Sequence, residues 1–190
     1  MESTELITDP KKLALNNSLI WAAINIAIFL IVYYVKPDLM GSFLFTAIQL
    51  LIGIALAVYF CMDMRKRIGG YWTFKQALTN IFIMFFVQAI IVFFFTIIFA
   101  KFIEPDYAVK MKEIVSNSTQ EMLEKVGMNQ DKIDEAMAES DARLEKQFNP
   151  GIKEILVGLG TVAIMYFVGA LIFAAIFKKD PPVFANTTEE

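Results

Sequence analysis

The chain has 190 residues, is 57% hydrophobic and 14% aromatic, and carries a net charge of −3 at pH 7. That balance argues against nucleic acid as a partner, and the absence of any histidine removes His-based acid–base catalysis and histidine ligation of metal or haem. Cys61 is the only cysteine, so neither an intrachain disulfide nor a thiolate metal cluster is available.

Four long apolar runs without a single charge organise the sequence: Leu13–Val35, Leu39–Met62, Ala77–Ala100 and Ile155–Phe177. Each is about 22–25 residues, and about 20 suffice for a helix to cross a bilayer. They predict an all-α, polytopic membrane protein with four transmembrane helices and an amphipathic helical insert between the third and fourth. The expected organisation is 1–100 for the first three spans, 101–150 for the soluble insert, 151–179 for the last span and 180–190 for a polar tail.

The first run is too long for the apolar core of a cleavable signal, and no small-x-small site follows it, so it reads as a retained span. Asp9-Pro10 has the form of an N-cap followed by Pro at the first helical position. Lys36-Pro37-Asp38 is then a short link to the second span, and the first two spans form a tight antiparallel hairpin. Cys61, late in the second span, reads as helix- or lipid-facing filler.

The link between spans 2 and 3 is richer. It carries the basic residues Arg65, Lys66, Arg67 and Lys75 and a Gly69-Gly70 pair that permits a sharp turn. Thr73 and Gln76 have capping-box spacing, so the third helix is expected to begin at Thr73, with Tyr71 and Trp72 at headgroup depth. The third span holds seven phenylalanines, Phe82, Phe85, Phe86, Phe93, Phe94, Phe95 and Phe99, too many for one packed face.

Residues 101–153 are water-soluble and opened by Glu104-Pro105-Asp106. Apolar residues recur at helical spacing, first Met111, Ile114, Val115, Met122 and Val126, then Ile133, Met137, Leu144 and Phe148. Gly127 breaks the pattern and Asn129 can cap a second helix, which predicts two amphipathic helices near 106–126 and 130–147. Asn149-Pro150 looks like the N-cap of the last helix, and Asp180-Pro181-Pro182 ends it. The crowding of positive charge on the 2–3 link and both chain ends predicts cytoplasmic termini and an external insert.

No charge occupies the middle of any span, which lowers the expectation of a pump or coupled transporter. Uncharged polar residues do recur near mid-span: Asn25, Gln49, Gln88 and Tyr166. They are expected to clamp the bundle by hydrogen bonds, with a polar pocket as the alternative. Small-residue pairs four apart, Ala23/Ala27, Gly53/Ala57 and Ala170/Ala174, offer close-packing faces.

The turn Gly69-Gly70-Tyr71-Trp72-Thr73-Phe74, the Glu104-Pro105-Asp106 start of the insert and the Lys178-Lys179 close of the last span resemble the four-span family known as domain of unknown function 4199. The resemblance covers essentially the whole chain. It implies a multi-pass inner-membrane protein of Bacteroidota, brings no activity, cofactor or catalytic residues, and suggests at most a polyprenyl-phosphate-type glycosyltransferase as a neighbour.

Three functions compete. The leading expectation is a non-catalytic membrane subunit or scaffold, contacting lipid and either a protein partner or a second copy through its membrane helices, with no cofactor. The second is a small lipid- or solute-binding carrier or channel that uses the mid-span Asn/Gln residues. The third is an enzyme on lipid-linked substrates in which Glu104 and Asp106 bind a cation with phosphate. For those two acids, capping the first turn of the insert is the stronger expectation, because acids suit a helix N-terminus.

Overall fold

A computed structural model describes residues 9–148 and 151–181, with side chains placed for all of these except 145–148. The described chain is helical throughout. Its elements are α1 (Pro10–Val35), a 3-10 turn (Pro37–Gly41), α2 (Phe43–Arg67), α3 (Phe74–Ile98), a π-helical turn (Phe99–Ile103), α4 (Tyr107–Lys125), α5 (Gln130–Phe148) and α6 (Ile152–Phe177). Four helices are long and apolar enough to cross a membrane: Pro10–Val35, Phe43–Arg67, Phe74–Ile103 and Ile152–Phe177. The only β-type pairing among the described residues is an isolated bridge between Trp72 and Lys179.

Helix starts follow local chemistry. Asp9 caps α1, its Oδ1 accepting from the Lys11 amide at 3.0 Å, and Pro10 opens the helix. Helix α2 starts at Phe43, later than the apolar run begins. Pro37 nucleates a 3-10 turn instead, and the Ser42 hydroxyl then accepts from the Phe45 amide at 3.1 Å as the N-cap. Thr73 and Gln76 close the capping box from both sides: the Thr73 amide donates to Gln76 Oε1 at 2.9 Å and the Gln76 amide to Thr73 Oγ1 at 3.3 Å. Helix α5 is capped by Asn129, which accepts from the Lys132 amide. Helix α6 ends at Phe177; the Asn149-Pro150 cap and Pro182 lie outside the described residues.

By contacts the chain forms two compact units, Met1–Ile24, Gly53–Ile91 and Thr161–Glu190 in the first, Asn25–Ile52 and Val92–Gly160 in the second. The first unit has a core of Trp21, Phe60, Met64, Trp72, Ile81, Met84 and Phe85. Trp21 stacks on Phe60 at 5.7 Å and meets Phe85 edge-on at 5.5 Å. Ala57, Ala170 and Ala174 are buried there, as is Cys61, whereas Ala23 and Ala27 are exposed. Only the Ala170/Ala174 pair is thus buried whole; of Gly53/Ala57 only Ala57 is, and a Cβ on Gly53 would meet nothing within 4 Å.

The second unit is built on aromatic rings. Tyr33, Phe99, Tyr107 and Met111 are its buried centre, with Phe29 and Phe95 packed against them. Phe99 meets Tyr33 edge-on at 5.2 Å and Tyr107 at 5.6 Å. The seven phenylalanines of α3 and its π turn therefore divide: Phe85 and Phe99 are core, while Phe94 is exposed. In the insert, Met111, Ile133 and Leu144 are buried, and Ser116 on α4 donates to Asp141 on α5 at 2.9 Å. The periodic apolar positions thus mark inner faces, although Met122 and Val126 remain exposed.

A tyrosine-lined acidic cavity at the foot of the insert

The residues singled out by sequence fall into separate places. In the first unit, the Gly-Gly-Tyr-Trp-Thr-Phe turn is a clasp. Gly69 and Gly70 have φ of +96° and +84°, and the Gly70 amide donates to the Arg65 carbonyl at 2.9 Å while the Gly69 amide reaches Lys66 at 3.3 Å. This double closure is a Schellman cap, and its left-handed backbone is the conformation glycine adopts without a Cβ clash. The turn delivers Trp72 into the core, 1% exposed, where its indole N–H donates to the Phe177 carbonyl at 2.7 Å. Trp72 and Lys179 exchange backbone hydrogen bonds at 2.9 and 3.0 Å, and Arg65 Nη1 also donates to the Phe177 carbonyl, at 3.4 Å. Trp72 is therefore not the headgroup anchor that its position beside a span suggests. It satisfies the terminal carbonyl of α6, a group with no partner inside its own helix. Tyr71 stays exposed, with Lys179 Nζ over its ring at 5.1 Å.

Of the basic residues on the link, Arg65 is committed to α6 and Arg67 pairs with Asp63 at 3.0 Å; Lys66 and Lys75 are exposed. Of the mid-span polar set, Gln88 and Tyr166 meet in the first unit, Gln88 Nε2 donating to the phenolic oxygen at 3.3 Å. Asn25 and Gln49 belong to the second unit and are half-buried. The first unit also buries Asn80, which lies two turns before Gln88, and Asn17, which sequence reading did not select; Asn80 Nδ2 donates to the Gln76 carbonyl at 2.7 Å.

The second unit holds a cavity of about 630 Å³, built where three short-range features meet. The end of α1 supplies Tyr33 and Tyr34, and the 3-10 turn supplies Asp38. The π turn widens the end of α3, its Glu104 amide donating to the Phe99 carbonyl five residues back at 2.8 Å. Such π turns are rare and concentrate at functional sites. Helix α4 then passes over the opening with Lys110, Glu113 and Glu121. The 3-10 turn and α4 approach closely at Gly41, where a Cβ would lie 2.9 Å from the Ile114 carbonyl oxygen and 2.5 Å from Ser118 Oγ.

The lining is strongly acidic, with Asp38, Glu104, Glu113 and Glu121 against Lys110 alone. Glu104 and Lys110 form an ion pair of 2.8 Å. The Glu104 hydrogen bond raises the Lys110 pKa above its ordinary value, so this ammonium is charged at every physiological pH. Glu121 pairs with Lys125 at 3.2 Å, whereas Asp38 and Glu113 have no ion pair among the described residues. Tyr33 is 5% exposed, and its hydroxyl makes no hydrogen bond of ordinary geometry, although the Lys110 ammonium lies close enough to act on it electrostatically. Beneath, burial pushes the Tyr107 phenol up to about 12.

The expected helix-capping role of the two acids at the insert start is not what is built. Asp106 occupies the N-cap position of α4 but makes no side-chain capping bond, because its φ/ψ of −83°/1° departs from the extended backbone such caps use. Glu104 turns to Lys110 instead. Among the described residues no group of three acidic or cysteine side chains could hold a metal ion. The sequence signal for this site was weak: Glu104 and Lys110 are six apart, no helical spacing, and nothing local marks Tyr33 at the end of its apolar run.

Four helices long and apolar enough to cross a bilayer, with a helical insert before the last, define a multi-pass helical membrane protein. The chain belongs to the family described as protein of unknown function DUF4199, whose profile matches residues 16–179. No curated protein and no solved structure matches it.

Proposed function

We propose that this protein works by binding rather than by chemistry, as a non-catalytic integral membrane component whose acidic cavity takes a polar ligand or lipid headgroup. The observation that carries this reading is the cavity itself, lined by a buried Tyr33 hydroxyl that makes no hydrogen bond of ordinary geometry and by two carboxylates without an ion pair among the described residues. Ligand pockets of about 300–1,000 Å³ are typical of small-molecule sites. The reading moves the lipid- or solute-binding alternative away from the mid-span Asn25, Gln49, Gln88 and Tyr166, since Gln88 and Tyr166 satisfy one another.

A subunit or scaffold role, including service to a polyprenyl-phosphate glycosyltransferase, is favoured by a separate feature. The water-soluble insert leaves Met122 and Val126, four positions apart, exposed side by side. The basic residues Arg65, Lys66, Arg67 and Lys75 support a bacterial inner-membrane location with cytoplasmic termini and a periplasmic insert.

Native mass spectrometry of the full chain released from nanodiscs tests the binding reading. The wild type is expected to retain a ligand that Asn117→Trp, which fills the cavity from an exposed position, expels. Identical spectra for the two proteins would sink it.

A further inference from the structure

We infer that the cavity at the foot of the insert is a primary-ammonium site, built to receive the aminoethyl headgroup of a phospholipid or an equivalent free alkylamine. The inference rests on the reading of the cavity as a binding site and specifies its chemistry.

The charge of the lining selects a cation. Of the four carboxylates in the lining, Glu104 pairs with Lys110 and Glu121 with Lys125, whereas Asp38 and Glu113 have no ion pair among the described residues. Two unpaired carboxylates on one lining leave it at negative potential, which a bound cation offsets. No three ligating side chains converge among the described residues, so the lining offers its carboxylates one at a time, as an ammonium takes them.

The protein displays the fitting ligand itself. Lys110 is a primary ammonium on an alkyl stem, the same group that ends an ethanolamine headgroup. It occupies Glu104 at 2.8 Å, within electrostatic reach of the Tyr33 hydroxyl. The Lys110 side chain is half exposed, so it can swing away on a flexible stem. An incoming ammonium then exchanges with it, donating to the Glu104 carboxylate and to the buried Tyr33 phenolic oxygen, which makes no hydrogen bond of ordinary geometry. Tyr34, 63% exposed beside Tyr33 at a ring separation of 5.1 Å, offers its face to the same charge.

Placement adds the source. Tyr33 and Tyr34 lie in the last turn of the span Pro10–Val35, and Glu104 directly follows the span Phe74–Ile103. Both ends lie where a bilayer places its headgroups.

The test uses the full chain in non-ionic detergent and calorimetric titration with three probes: short-chain phosphatidylethanolamine, the matching phosphatidylcholine and free ethanolamine. The phosphatidylcholine keeps phosphate and charge but has no N–H donor. The ethanolamine lipid is expected to bind at least about tenfold more tightly than the choline lipid, because hydrogen bonds to charged groups contribute about 1.5–3 kcal/mol. Glu104→Gln loses a similar factor. Lys110→Met removes the tethered competitor and tightens binding by up to about fivefold, the scale of an exposed ion pair. Ethanolamine alone binding as well as the lipid assigns the site to a free amine, and lipid-only binding to a headgroup; both support the ammonium assignment. Equal affinity for both lipids, an unaffected Glu104→Gln or weaker binding by Lys110→Met overturns it. If Asn117→Trp still abolishes binding of either lipid while no ammonium preference exists, the cavity reading stands and only the ammonium assignment falls. Binding indifferent to Asn117→Trp overturns both.

Discussion

Trp72 shows how much one side chain can depend on a partner far along the chain. Its indole N–H reaches the Phe177 carbonyl, 105 positions away. Trp72→Phe keeps most of the apolar burial but leaves that carbonyl with only the longer Arg65 contact. The expected cost is about 1–2 kcal/mol, the scale of one buried hydrogen bond with its stranded partner. It is read as a lower midpoint in thermal unfolding of the detergent-solubilised protein. Tyr107 carries a pH dependence with a definite sign. Its folded pKa is raised to about 12 by burial, and by Tyr33 next, from an ordinary value of 10.0. The folded state therefore holds the phenolic proton more tightly, so its stabilisation is intact below pH 10 and is lost as pH rises toward 12. A tyrosinate absorbance titration is expected to show a phenol titrating near pH 12 that Tyr107→Phe removes.

Elements are held by their ends more than by propensity. The Schellman turn at Gly69-Gly70 is followed directly by Trp72 and the Thr73 box, so a single strained residue there misplaces the clasp. Gly69→Ala is expected to cost about 1 kcal/mol or more, since a left-handed backbone is unfavourable by about 1–2 kcal/mol for residues with a Cβ. The 3-10 turn depends on Gly41 for a different reason. A methyl group there meets the Ile114 backbone oxygen, which cannot rotate away. Gly41→Ala is expected to increase hydrogen exchange in α4 while leaving α2 protected. The Gln88–Tyr166 contact is a modest clamp: Tyr166→Phe is expected to cost no more than about 2 kcal/mol, in line with interhelical polar contacts in membranes. Several of these elements were legible beforehand. Asp9-Pro10, Thr73-x-x-Gln76 and Asn129 are local capping signals whose chemistry is complete within four residues. Ser42 was missed because the apolar run before it resembles helix already, and the 3-10 turn at Pro37 delays the start.

At the scale of the whole molecule, the membrane sets the frame and topology is the property to measure. Cys61 is fully buried, so an introduced cysteine reports without background. Glu135→Cys on α5 is expected to react with an impermeant maleimide in intact spheroplasts, and Lys66→Cys only after permeabilisation; the reverse pattern would invert the orientation. By itself the sequence determined that four helices are long and apolar enough to span a bilayer and that a helical pair separates the last two. Hydrophobic length and 3.6-residue periodicity are properties of a segment alone, and lipid requires each segment to satisfy its own backbone. Only the tertiary structure decided that Trp72 points inward and that Glu104 meets Lys110 rather than capping α4. It also gathered Tyr33, Asp38 and Glu113 around one cavity. Those outcomes depend on which chain ends meet after the helices pack, through contacts between distant residues that no local pattern encodes.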